Sequence, residues 1–83
     1  MSRHLQKILI QAPETIANRL EGKLRKKFEV TLVSVIAPPT DCRISVKFGN
    51  RWITVCRFAM DEELDNILMM FQVKYEIVKR KLR

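Results

Sequence analysis

The sequence predicts a small two-layer α+β domain with the element order α-β-β-β-α and a three-stranded antiparallel sheet. Three observations lead to this fold class: an amphipathic segment at residues 13–27, a hairpin pattern at residues 41–58 and an apolar helical stripe within residues 60–81. The 83 residues are expected to form one domain, since a chain of this length builds a single core. A short apolar run at residues 5–10 is either an additional edge strand before the first helix or a helical turn, because periodicity cannot separate the two at such a length.

Residues 13–27 are predicted to form the first helix. Pro13 suits its first turn, where the missing N–H group would have no helical partner in any case. Four apolar residues recur at intervals of four and share one face of this helix: Ile16, Leu20, Leu24 and Phe28. Residues 28–36 follow as a strand, because they are rich in β-branched side chains. Pro38 and Pro39 end this strand, since neither can donate to a sheet ladder.

Residues 41–58 are predicted to form a hairpin with the turn Gly49-Asn50, because a type II′ turn needs glycine at its first central position. The turn fixes the register, so alternate residues fall on opposite faces. The predicted core face holds Cys42, Ile44, Val46, Phe48, Ile53 and Val55. The predicted outer face holds Arg43, Ser45, Lys47, Trp52, Thr54, Cys56 and Phe58. Because Cys42 and Cys56 point to opposite faces in this register, we expect no disulfide between them.

Residues 60–81 are predicted to form one long helix, with the acidic run Asp61-Glu62-Glu63 near the positive end of its dipole. Its main apolar stripe consists of Leu64, Ile67, Leu68, Phe71, Tyr75, Val78 and Leu82. Residues 71–79 also alternate in polarity as a strand would. A short helix followed by a strand at residues 71–79 is therefore the alternative.

The charge of the chain indicates its class of partner. Sixteen Lys and Arg residues against nine Asp and Glu residues give a net charge of +7 at neutral pH. Such an excess favours nucleic acid or an acidic protein surface as the partner. No run approaches the ~20 apolar residues of a membrane span or the apolar core of a signal peptide, so we expect a cytoplasmic protein with no membrane partner.

The sequence lacks the groupings of residues that catalysis requires. The single histidine, His4, stands near the N terminus, and no serine occupies a nucleophile turn. The two cysteines are isolated and no glycine-rich phosphate loop is present. We therefore expect no enzymatic activity, no metal and no cofactor, with a ribonuclease that works through Arg and Lys as a minor alternative.

Two groups of residues are candidates for binding nucleic acid, either DNA or RNA. Arg19, Lys23 and Lys26 are spaced four and three apart, so they line one flank of the first helix and can contact phosphates. Arg43, Lys47 and Trp52 share the outer face of the hairpin, where an aromatic ring among cations can stack a base. The leading hypothesis is a small, non-enzymatic nucleic-acid-binding module.

The predicted last helix carries a second apolar stripe behind the first, formed by Met69, Met70, Val73 and Ile77. A small domain cannot bury both sides of a terminal helix in its own core, and exposed apolar stripes mark interfaces. The stripe therefore predicts a homodimer or a partner-bound protein. The alternative function is a protein-interaction module, such as an adaptor or an inhibitor of a larger protein, that uses this stripe.

Overall fold

The computed structural model describes residues 6–81, with side chains from residue 7 onward. Its elements are, in chain order, β1 (Gln6–Ala12), α1 (Glu14–Lys27), β2 (Val30–Ile36), β3 (Arg43–Phe48), β4 (Arg51–Arg57) and α2 (Leu64–Lys81). The predicted α+β class and the order of the five predicted elements are confirmed. The apolar run near the N terminus forms the additional strand, but between two other strands rather than at the edge of the sheet. His4, Leu5, Leu82 and Arg83 lie outside the described residues.

The sheet has four strands in the order β2-β1-β3-β4 and is mixed, whereas the sequence indicated three antiparallel strands. β1 pairs with β2 in parallel and with β3 in antiparallel orientation, and β3 pairs with β4 as a hairpin. A parallel pair needs a long crossover connection, which α1 supplies between β1 and β2. β1 therefore lies at the centre of the sheet, separating β2 from the hairpin.

The core lies on one face of the sheet, and both helices pack against that face. On the central strand, Ile8 pairs with Val46 and Ile10 with Ile44, and all four side chains are buried. Leu20 and Leu24 of α1 join the same cluster, which confirms the predicted buried stripe of this helix. The full buried cluster is Ile8, Ile10, Ala12, Ala17, Leu20, Leu24, Cys42, Ile44, Val46, Val55, Cys56, Ile67, Leu68 and Phe71.

The hairpin turns at Gly49, whose φ of 62° is the left-handed value that a type II′ turn requires at this position. The predicted register holds from the Phe48–Arg51 pair to the Ser45–Thr54 pair. A β-bulge then shifts it, so that Ile44 pairs with Cys56 instead of Val55.

The bulge overturns one prediction about the cysteines. Cys42 and Cys56 are both buried in the core cluster rather than pointing to opposite faces, and both thiols are free. Val55 is buried as well. Because the bulge inserts one extra residue, the two consecutive apolar residues Val55 and Cys56 are both buried. Phe58, predicted on the outer face, also packs against the core cluster.

The last element is a single helix, α2, and the alternative of a strand at residues 71–79 is wrong. The ring of Phe71 is fully buried, and it lies edge-on to Phe28 at 6.0 Å and stacked on Tyr75 at 5.6 Å between centroids. Tyr75 in turn stacks on Phe48 at 6.1 Å. These aromatic contacts join the end of α1, the end of β3 and the middle of α2.

Candidate nucleic-acid interface

The face of the sheet opposite the core is covered by no helix among residues 6–81, and we call it the open face. Strand pairing identifies its members, since Leu9 lies between Val33 and Ser45, and Ser45 lies opposite Thr54. The open face holds Lys7, Leu9, Gln11, Thr31, Val33, Val35, Arg43, Ser45, Lys47, Trp52, Thr54 and Arg57. Most of these side chains are exposed or half-buried, so the face is available to a partner.

The charged side chains that the strands place on the open face all have the same sign. Lys7, Arg43, Lys47 and Arg57 are its cations, and the four strands contain no Asp or Glu. The nine acidic residues of the chain all lie in the helices and connecting segments. Acidic residues are therefore absent from the strands, and the open face has a cationic surface.

Trp52 is the aromatic residue of the open face, with 44% of its surface exposed. It pairs across the hairpin with Lys47, whose Nζ lies 5.9 Å from the centroid of the indole ring. This is the distance range of a cation–π contact, which holds a positive charge beside the ring. The structure thus places a stacking surface next to a group that can contact phosphate.

Arg43 is held in a defined position on the same face. Its Nε donates a 2.7 Å hydrogen bond to Gln11 Oε1 and lies 3.5 Å from Asp41 Oδ1. The neighbouring hydroxyl oxygens of Ser45 and Thr54 are 3.5 Å apart. The β3–β4 half of the open face is therefore polar, cationic and aromatic, whereas the half formed by β2 exposes Val33 and Val35.

The second predicted cationic group lies elsewhere. Arg19, Lys23 and Lys26 are exposed on α1, which packs on the core face, so they are on the opposite side of the sheet from Trp52. Lys23 Nζ is 3.2 Å from Asp65 Oδ1 at the start of α2, so one of the three cations already has an acidic neighbour. The structure does not bring the two predicted groups together.

Comparison of the chain with known protein families, with curated proteins and with solved structures found no match.

The predicted second stripe of α2 is largely exposed. Met69, Val73 and Ile77 are 62%, 57% and 46% exposed, whereas Met70 is half-buried and packs against the core cluster. The side of α2 that is turned away from the sheet is therefore apolar at its middle.

A cavity of about 330 Å³, which the sequence did not indicate, opens between the start of β2 and α2. Its lining consists of Ile8, Phe28, Glu29, Val30, Phe71, Tyr75, Glu76 and Lys79. Burial, followed by the nearby Glu76 carboxylate, raises the pKa of Tyr75 above its usual value. Lys79 lies 3.7 Å from Glu76 and 5.2 Å from the Tyr75 ring, so its charge is already compensated and the cavity does not suit a phosphate.

Among residues 7–81, no three side chains of His, Cys, Asp or Glu converge as a metal site would require. No helix in residues 6–81 combines the length and the apolarity needed to cross a bilayer.

Proposed function

We propose that this protein is a non-enzymatic nucleic-acid-binding module and that single-stranded nucleic acid lies on its open face. The observation that carries the proposal is an uncovered sheet face whose strands hold an exposed indole, four cations and no acid, with Asp41 beside Arg43 as a carboxylate at its edge. Base stacking on an aromatic side chain contributes about 1–3 kcal/mol per base, and Lys and Arg contacts to phosphate add a salt-dependent term. A single strand is favoured over a duplex because its unstacked bases can lie flat on a sheet.

The charge count sets the salt dependence that the proposal expects. Four phosphate contacts to a single strand give a slope of log affinity against log salt of roughly −3, since each contact contributes about −0.7. Affinity should then fall about 50-fold between 50 mM and 200 mM salt. The face spans about 14 Å across its four strands, at ~4.8 Å per spacing, so only a short segment of nucleic acid binds each copy.

The test uses fluorescence anisotropy of labelled single- and double-stranded DNA and RNA, with Trp52 emission recorded in parallel. The open-face variant is Lys47→Gln with Arg57→Gln, and the matched control is Arg19→Gln with Lys26→Gln on α1. Both pairs remove two positive charges, but only the first should reduce the salt slope, by about 1.4. Quenching of Trp52 on binding supports stacking.

Two outcomes would overturn parts of the proposal. Absence of binding at low salt would remove the nucleic-acid function itself. Weaker binding by the α1 variant together with unchanged binding by the open-face variant would move the interface to Arg19, Lys23 and Lys26. The predicted cytoplasmic location is part of the same proposal.

A protein-interaction module is the second candidate function, and the exposed apolar side of α2 favours it. Val73→Glu with Ile77→Glu should then abolish binding of the protein partner and leave the chain folded, because both side chains are exposed. The same variant should keep its affinity for a short oligonucleotide if the open face binds nucleic acid. This pair of measurements separates the two functions.

A further inference from the structure

One row of residues along α2 has a symmetric chemical pattern. Asp65, Met69, Val73, Ile77 and Lys81 follow at intervals of four, so they form one continuous ridge on the helix. All five are exposed. The buried residues of α2, Ile67, Leu68 and Phe71, face the core from the other side of the helix.

Along the chain the ridge has an acidic residue, three apolar residues and a basic residue. A second copy of the ridge running in the opposite direction is therefore complementary to the first. When a second copy of α2 lies antiparallel with Val73 on the two-fold axis, Asp65 of each copy faces Lys81 of the other. In the same arrangement Met69 faces Ile77, so apolar residues meet apolar residues along the middle of the contact. A parallel arrangement would instead oppose like charges at both ends.

We propose that this protein forms an antiparallel homodimer through α2, with Val73 at the two-fold axis. A two-fold dimer requires a self-complementary surface patch, and this ridge is one. Rows spaced by four residues are the ridges that interdigitate in the commonest helix packing, at a crossing angle of about 50°. Asp65 also lies 3.2 Å from Lys23 of its own chain, but its side chain is 83% exposed and can accept a second cation.

The dimer has a defined relation to the rest of the molecule. The ridge faces away from the sheet, so the two open faces of the dimer remain uncovered and point away from each other. The proposal does not depend on what the open face binds. Because one pair of helices of 18 residues each makes a small contact, the association is expected to be weak and concentration-dependent.

The first experiment is analytical ultracentrifugation of the whole chain from about 1 µM to 1 mM, the range in which interfaces of this size associate. We expect a monomer–dimer equilibrium for the wild type and a monomer for Val73→Glu, with unchanged urea unfolding at low concentration. A wild type that stays monomeric throughout, or a Val73→Glu variant that still dimerises, would overturn the proposal. Binding of a different protein to a monomeric wild type would assign the ridge to that protein instead.

A charge exchange tests the pairing of the ends. Asp65→Lys alone and Lys81→Asp alone place like charges at both ends of their own dimers, so each should dimerise about 2- to 30-fold more weakly. Mixing the two variants creates opposite charges at both ends, so the mixed dimer should form preferentially. A mixture no tighter than its components would refute the pairing.

The orientation is tested by neutralising one end. Lys81→Gln removes an attraction from the antiparallel dimer and should weaken it. In a parallel dimer the same change would remove a repulsion, so tighter association of Lys81→Gln would refute the antiparallel order.

Discussion

Replacement of Phe71 by alanine tests whether the aromatic contacts hold the helices on the sheet. Phe71 is fully buried and contacts the rings of Phe28 and Tyr75. Its removal enlarges the cavity that the ring already lines, which also contains Ile8 of β1 and Val30 of β2, and it removes the contact of α2 with Phe28 at the end of α1. The change therefore affects the packing of the whole domain rather than one surface.

The expected magnitude follows from the burial of the ring. Truncation of a buried phenylalanine to alanine lowers the free energy of unfolding by about 3–5 kcal/mol. A domain of 83 residues has a free energy of unfolding of roughly 4–12 kcal/mol at 0.05–0.15 kcal/mol per residue. Phe71→Ala should thus remove a large share of the stability and leave the chain close to its folding limit.

Urea unfolding followed by circular dichroism measures this change. With an m-value of about 1.5 kcal/mol/M, the midpoint should fall by about 2–3 M. Gln72→Ala is the matched control, since it is the exposed neighbour of Phe71 on the same helix and lies outside the ridge, and it should change the free energy by less than about 0.5 kcal/mol. A Phe71→Ala variant within about 1 kcal/mol of the control, roughly the average effect of a point mutation, would refute the packing argument.

Three further predictions concern Trp52, the two glycines and Cys56. Trp52→Ala should weaken single-strand binding by about 1–3 kcal/mol without changing the salt slope, because the ring stacks but carries no charge. Gly22→Ala should raise the free energy of unfolding by about 0.5–1 kcal/mol, since a Cβ at this helical position meets no atom within 4 Å. Gly49→Ala should lower the free energy of unfolding by about 1 kcal/mol, because its φ of 62° is unfavourable for alanine. Burial raises the pKa of the Cys56 thiol from 9.0 to about 11, so the unfolded thiol ionises first and the free energy of unfolding should fall as pH rises from 9 to 11.

Each of these has a direct check. Trp52→Phe should recover most of the affinity, and a change in salt slope on Trp52→Ala would contradict stacking as the role of the ring. Urea titrations of the two glycine variants should move in opposite directions, and a stabilising Gly49→Ala would contradict the type II′ turn. The pH dependence should be shallower in Cys56→Ala, since other groups keep titrating, and an equal slope would show that this thiol does not titrate on unfolding.

The sequence predicted the helices and the hairpin because their signals are local. The four-residue spacing from Ile16 to Leu24 and the glycine at residue 49 each determine a structure within a few residues. The place of β1 could not be predicted in this way, since pairing of an apolar run depends on which distant strand it meets. The bulge was missed because no glycine marks it. The consecutive apolar residues Val55 and Cys56 are nevertheless a signal, since a regular strand would turn only one of them toward the core.

These two differences explain what was missed at the candidate interface. Lys47 and Trp52 were assigned to the correct face because they lie between the turn and the bulge, and Arg43 because it lies on β3, where the bulge inserts no extra residue. Lys7 was not predicted at the interface because the sequence did not show where β1 lies in the sheet. Arg57 was not predicted there because the bulge shifts the register, so that Arg57 pairs with Arg43 and lies on the open face.

The two outer strands of the sheet differ in how they resist further strand pairing. β4 carries Arg51 and Arg57, and charged side chains on an edge discourage another chain from adding to it. β2 is the other edge; it is uncharged throughout its seven residues, and within residues 6–81 it pairs only with β1. Any aggregation of the heated or concentrated protein by sheet extension should therefore proceed in one direction, outward from β2, with Pro38 and Pro39 limiting how far the new ladder can run.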